Sequence, residues 1–166
     1  MYTNLEAHIA SFVKLGEPEF EILRASLKTA ELRKKELLFR EGGVCRADYF
    51  VDKGCLRMFF IDDKSTERTT QFAIENWWMA DYISLERQTA SDFSLHAVVA
   101  SQVLVLERNA FEKLLAAVPA HYPAAGLCRF ATAHEVHVRF FGRGNVPAFQ
   151  PFLPWFYSAL CVVLDP

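Results

Sequence analysis

The sequence predicts an α+β fold in which short strands close into a roll or sandwich, with short helices ahead of the strands and a long helix behind them. Three observations carry this. From residue 32 to about residue 106 the chain breaks into brief runs of β-branched and aromatic residues separated by turn residues, the pattern of strands. On either side of that region, apolar residues recur at helical spacing instead. The run Leu56-Arg57-Met58-Phe59-Phe60-Ile61 puts Leu56, Met58 and Phe60 on one face and Arg57, Phe59 and Ile61 on the other, so both faces carry bulky apolar groups. A sheet covered on both sides explains that better than one washed by water.

Each element follows in order. Thr3 and Glu6 fit a capping box, and Leu5, Ile9, Phe12 and Val13 recur behind them, so the chain opens with a short amphipathic helix that Gly16 ends. Glu17 and Pro18 suit the first turn of a second helix with Phe20, Leu23 and Leu27 on one face. Six strands are expected, at 37–39, 49–51, 56–61, 69–73, 95–99 and 103–106, with a hairpin turn at Asp62-Asp63-Lys64-Ser65. Asn109 and Glu112 cap a helix that holds Phe111, Leu114 and Leu115 and stops before Pro119. Leu127, Phe130, Ala131, His134, Val138 and Phe141 then share one stripe of a longer helix ended by Gly142.

Composition bounds the function. A chain of 166 residues, 52% of them apolar, has the length and hydrophobicity of one packed domain. Its net charge of -2 draws no polyanion. The N-terminal stretch does not resemble a secretory leader, so a cytoplasmic protein is expected. Cys45, Cys55, Cys128 and Cys161 lie far apart and form no Cys-x-x-Cys pair, which favours small buried residues over a disulfide frame or zinc site. His134-Glu135-Val136-His137 lacks the spacing of four that puts two histidines on one helix face. A metal site inside a strand roll needs two or three histidines, and only His96 falls in an expected strand. The expectation is a non-catalytic protein with no metal and no cofactor.

The order of two short helices, then LLFREGGVCRADYFVDKGCLRMFF, then a hairpin, a capped short helix and a striped long helix resembles the effector domain of the Crp/Fnr family of bacterial transcription regulators. The resemblance spans about residues 5–141 and is densest at Glu41-Gly42, Tyr49-Phe50-Val51, Lys53-Gly54 and Leu56-Arg57, with support from residues 71–78, QFAIENWW. It implies a cyclic nucleotide-binding-like β-roll of jelly-roll type, with Gly42, Gly43 and Gly54 turning corners between its layers. It also implies a homodimer paired through residues 124–141, a small-molecule effector, and a helix-turn-helix for DNA.

Binders of this fold hold a cyclic phosphate with a Gly-Glu element opening a short helix and an arginine further on. Laid on that pattern, Ala80 stands at the glycine, Asp81 at the glutamate and Ser91 at the arginine, with Asp92 beside it. Ser84 offers a hydroxyl and Arg87 a guanidinium, although a solvated surface arginine is the plainer reading of Arg87. The pattern is degenerate, and cyclic AMP is not expected to bind in the usual manner. The roll then encloses another small effector, or none.

Residues 1–141 thus read as an effector domain and 142–166 as an atypical tail. Residues 144–164 carry no formal charge and include Pro147, Pro151 and Pro154, so they do not supply the basic recognition helix that DNA requires. A frame-shifted or truncated gene, a tail folded back over apolar surface, and a membrane contact are the three accounts, of which the first is favoured. The proline-free stretch 155–164 is about half of a membrane span, so no membrane partner is expected. A stand-alone ligand-binding or interaction domain is the alternative function, and a cupin-like metalloenzyme the third. In sedimentation, the wild-type chain should run as a dimer and Phe130→Glu as a monomer; an unchanged mass in the variant would assign the stripe to the domain's own packing.

Overall fold

The computed structural model describes residues 2–11 and 16–117. The proposed dimer helix, with Leu127, Phe130, Ala131, His134, Val138 and Phe141, and the tail beyond it lie outside the described residues. The elements run α1 (Thr3–Ala10), α2 (Glu17–Ser26), β1 (Leu27–Leu32), β2 (Leu37–Phe39), β3 (Ala47–Lys53), β4 (Leu56–Ile61), β5 (Glu67–Ala73), β6 (Trp78–Met79), α3 (Tyr82–Arg87), β7 (Ser94–Ala97), β8 (Ser101–Glu107) and α4 (Arg108–Ala117).

The strands form two four-stranded sheets with the orders β1-β8-β3-β6 and β2-β7-β4-β5, all pairs antiparallel. Apart from the β4–β5 hairpin, successive strands alternate between the two sheets, the winding of a jelly roll. Between the sheets lies one core: Leu32, Tyr49, Val51, Met79 and Val103 from the first meet Phe39, Leu56, Met58, Leu95 and Ala97 from the second. The first sheet is covered on its other face as well. Leu27, Phe50, Trp78, Leu104 and Leu106 project there onto Leu5 and Ile9 of α1 and Leu23 of α2, with Phe20 and Phe111 alongside. Along β8 the side chains therefore alternate between two apolar layers, Val103 inward and Leu104 outward, which is why this strand reads as a continuous apolar run.

The second sheet differs. On β4 the inward residues Leu56 and Met58 join the core, whereas Phe59 belongs to neither cluster. It lies on the outer face, where the Arg57 guanidinium stands 4.7 Å from its ring centre and the His96 ring 5.0 Å away. Burial and the charges of Arg57 and Lys35 lower the His96 pKa. Ile61, Phe72 and Ile74 remain about half exposed on this side. Two-sided cover, expected from residues 56–61, thus holds for the first sheet and is only partial here.

Several local expectations need correction. Among the described residues eight strands replace six. β1 was hidden because Leu27 follows the periodicity of α2, and β6 because two residues carry no pattern. Thr3 is the first residue of α1, whose cap Tyr2 makes no side-chain bond, so the Thr3–Glu6 capping box does not form. Gly16 is the N-cap of α2 rather than the stop of α1, and Asn109 lies inside α4 rather than capping it. Of the three corner glycines, Gly42 and Gly54 have positive φ, 81° and 104°, and Gly43 does not. The hairpin at Asp62 forms: its Oδ1 accepts from Lys64 N and Thr66 N.

Gly54 is fixed twice over. Besides its φ of 104°, a Cβ there would fall 2.3 Å from Ser101 Oγ, the hydroxyl that accepts from Cys55 N at 3.2 Å. At Gly42, nothing lies within 4 Å of such a Cβ. In denaturant titrations Gly54→Ala should lose about 3 kcal/mol, strain and overpacking together, and Gly42→Ala about 1 kcal/mol from strain alone. Equal losses would show that the Ser101 contact does not matter.

Candidate functional site

The six residues of the sequence-derived cassette fall into two groups. Ala80, Asp81, Ser84 and Ser91 are buried, while Arg87 and Asp92 are exposed and Arg87 ends α3. Asp81 is the N-cap of α3: its Oδ1 accepts from Ile83 N at 3.1 Å and Ser84 N at 3.2 Å. Its other oxygen accepts a hydrogen bond of 2.6 Å from the Ser91 hydroxyl. The positions that match glutamate and arginine in the binding pattern are therefore bonded to each other. Asp81 fills the helix start with its own carboxylate, leaving neither oxygen without a partner.

The neighbours are equally engaged. Ser84 donates its hydroxyl to Thr89 O at 2.6 Å and accepts from Cys45 N at 2.8 Å, so the hydroxyl expected to face a ligand joins α3 to the loop before β3. That loop is tied to Ser91 through its backbone, Gly42 N to Ser91 O at 2.8 Å and Ser91 N to Gly43 O at 2.7 Å. Asp92 is exposed and takes no part in these bonds.

Three contributors were not visible in the sequence. Cys45 gives its backbone N–H to Ser84, and Gln88, at φ 55°, closes α3 while its side chain reaches Leu85 O at 2.7 Å and Cys45 O at 3.4 Å. Arg108, the first residue of α4, donates to Leu85 O and Glu86 O at the C-terminal end of α3. A cation at the last carbonyls of a helix is favourable, but this one arrives from the far end of β8, where no local pattern announces it.

Inside the roll beside α3, the space is filled by Phe39, Tyr49, Met58 and Met79, with Trp77, Tyr82, Leu85 and Phe93 packed against them. Phe39 and Tyr49 stack with ring centres 6.4 Å apart, and Tyr82 donates to Asp48 Oδ1 at 3.1 Å. Burial raises the Tyr82 and Tyr49 pKa values and pushes the Cys45 thiol up to about 12. Two hollows among the described residues, of about 620 and 340 Å³, lie elsewhere: one at Glu31, Arg33, Glu36 and Ala100, the other along β5. Among the described residues no three His, Cys, Asp or Glu side chains are grouped to hold a metal ion, and His96 faces away from the roll interior. No helix among them is long and apolar enough to cross a membrane.

The roll, its corner at Gly54 and the short helix after β6 are the parts of a known domain, and residues 29–118 match the cyclic nucleotide-binding domain. The chain belongs to that family. Among solved structures, the sensor domain of the transcriptional regulator DNR from Pseudomonas aeruginosa is similar at a TM-score of 0.64 and 18% identity, over 89% of this chain and 95% of that one. The chain spans 56% of the chain in a second structure, that of DNR itself. The catabolite activator protein of Thermus thermophilus gives a TM-score of 0.57 at 21% identity, over 92% of this chain and 80% of that one. The regulatory domain of Toxoplasma gondii PKA, crystallised with cAMP, gives 0.58 at 19%, over 68% of this chain and 43% of that one. No curated protein matches the sequence. The resemblance read from the glycine and aromatic spacing is thus to the right family, and the likeness to regulator sensor domains is one of fold.

The raised Cys45 pKa has a sign that can be tested. The folded state favours the thiol over the thiolate, so its contribution to stability is complete below the unfolded pKa of about 9 and is lost as pH rises towards about 12. At pH 8 iodoacetamide should leave Cys45 unmodified in the folded cyclic nucleotide-binding domain and label it in urea, as read by peptide mapping; rapid labelling of the folded form would contradict this burial.

Proposed function

We propose that this chain is the effector domain of a Crp/Fnr-like transcription regulator in which the cassette takes no cyclic nucleotide in the usual manner. The observation that carries the reading is the bond between Ser91 and Asp81, 2.6 Å long, at the two positions where a binder presents arginine and glutamate. A cyclic phosphate entering here would meet no guanidinium at position 91 and a buried carboxylate already satisfied by three donors. Two like charges about 4 Å apart repel by about 4 kcal/mol at an effective dielectric constant of 20, roughly a thousandfold in affinity. That exceeds what the remaining neutral donors return.

The domain is non-catalytic in this reading and acts in the cytoplasm as part of a homodimer. Any effector is a small molecule other than a cyclic nucleotide held by a phosphate clamp. DNA is a partner only through a helix-turn-helix supplied beyond residues 1–141. The filled interior around Phe39, Tyr49 and Met58 supports a packed joint rather than an open nucleotide pocket.

Calorimetry of the full chain with cyclic AMP and with cyclic GMP tests the reading. No saturable heat is expected up to millimolar ligand, and micromolar affinity for either would overturn it.

A further inference from the structure

The outer face of the second sheet carries a rung that crosses all four strands. Register sets Leu37 of β2 beside His96 of β7, His96 beside Arg57 of β4, and Arg57 beside Phe72 of β5. Residues paired in this way project from the same face, so the imidazole and the guanidinium are direct neighbours. Both also meet one ring: the Phe59 centre is 4.7 Å from Arg57 Cζ and 5.0 Å from the centre of the His96 ring. Phe59 belongs to neither apolar cluster, yet it is only 7% exposed. Arg57 and His96 contribute the cover that a further layer would otherwise give.

Arg57 is held in place from β5. Its Nε donates to Thr69 Oγ1 and a terminal nitrogen to Glu67 Oε2, both at 2.7 Å. The charged groups acting on His96 are Arg57 of β4, Glu67 of β5 and Lys35 from the turn before β2, while β2 itself sets Leu37 against it. With His96 neutral the arrangement is favourable: Arg57 is a cation on an aromatic face, paired with a carboxylate. With His96 protonated, two cations stand opposite each other on adjacent strands and share one ring and one carboxylate, with Lys35 a third positive charge. Like charges directly opposed on a sheet are destabilising. The two side chains differ in how they can respond. His96 is short and lies against Phe59, whereas Arg57 has a long stem whose head can swing to water while the stem stays on the sheet. Burial, Arg57 and Lys35 lower the His96 pKa against the opposing pull of Glu67, so the proton binds below the ordinary imidazole range.

We propose that His96 and Arg57 form a proton-operated cover over Phe59: with His96 neutral the guanidinium lies on the ring, and with His96 protonated it leaves the ring for water. In the open form Phe59 joins Ile61 and Phe72, already about half exposed, on an enlarged apolar face. The device sits outside the roll and does not depend on the Asp81 cassette.

NMR of the full chain tests this in the wild type. At about pH 7.5 an NOE between the Arg57 δ protons and the Phe59 ring is expected, and on acidification it should vanish with the midpoint of the assigned His96 imidazole titration. An NOE that survives full protonation of His96, or that is absent at neutral pH, would overturn the proposal. Loss of the whole amide spectrum at that midpoint would do the same, because the cover opens on an intact roll. Two variants separate the device from a general effect of acid. His96→Gln should keep the NOE throughout the pH range in which the wild type loses it, and Arg57→Gln should raise the His96 midpoint. A pH-dependent loss in the first or an unmoved midpoint in the second would count against the cover, and the wild-type titration decides where a variant does not fold.

Discussion

Everything in this molecule depends on the sheet formed by β1, β8, β3 and β6 being buried on both sides. Tyr49 and Val51 point into the roll while Phe50, between them, points at the helices and meets Trp78 at 5.3 Å and His8 at 5.5 Å. Val103 and Leu104 divide in the same way on β8. Removing a side chain such as Phe50 from water contributes about 1.5–3 kcal/mol, and these central strands do so on two faces at once. The helices at the two ends of the described chain are held by that sheet and not by their own sequences. α1 is eight residues long and has no side-chain cap, well below the length at which a helix persists alone in water.

The second sheet has the freedom that the first lacks. Its inner face completes the core, and its outer face is a patchwork: Phe59 beneath Arg57 and His96, an ion pair from Arg57 to Glu67, and Phe72 and Ile74 in the open. α3 joins the two sheets at the roll's mouth. Asp81 and Ser91 fasten it to the segment before β7, Ser84 and Cys45 to the loop before β3, and Arg108 to the start of α4. A helix of six residues has little stability of its own, so its position is that of its attachments.

Much of this was readable in the order of residues. β2 and β4 fall where alternation and turn residues place them, and the spacing of Gly42, Tyr49, Gly54 and Leu56 was specific enough to identify the family. The reasons are local: a positive φ favours glycine, and a period of two marks a strand. β1 was lost because Leu27 serves two periodicities, and β6 because a strand of two residues is defined by its partner β3 and not by its sequence. For the site, the substitutions at positions 81 and 91 were visible, but their consequence was not. That Asp81 and Ser91 bond to each other, and that Ser84 turns to Thr89 and Cys45, depends on how β7 and the Gly42 loop meet, which is tertiary information. Arg108 lies further still from any pattern that single-sequence reading detects.

The corner at Gly54 closes one position to divergence. A side chain at 54 would meet the Ser101 hydroxyl at 2.3 Å and, behind it, Ser101 Cβ at 2.8 Å and Cα at 2.9 Å, so even a glycine at 101 makes no room for it. The hydroxyl itself accepts from Cys55 N and donates to Val99 O at 2.9 Å. A lineage can forgo that hydroxyl at the expense of two backbone partners, but no second codon at 101 rescues a larger residue at 54, so descendants that keep this backbone inherit the glycine unchanged.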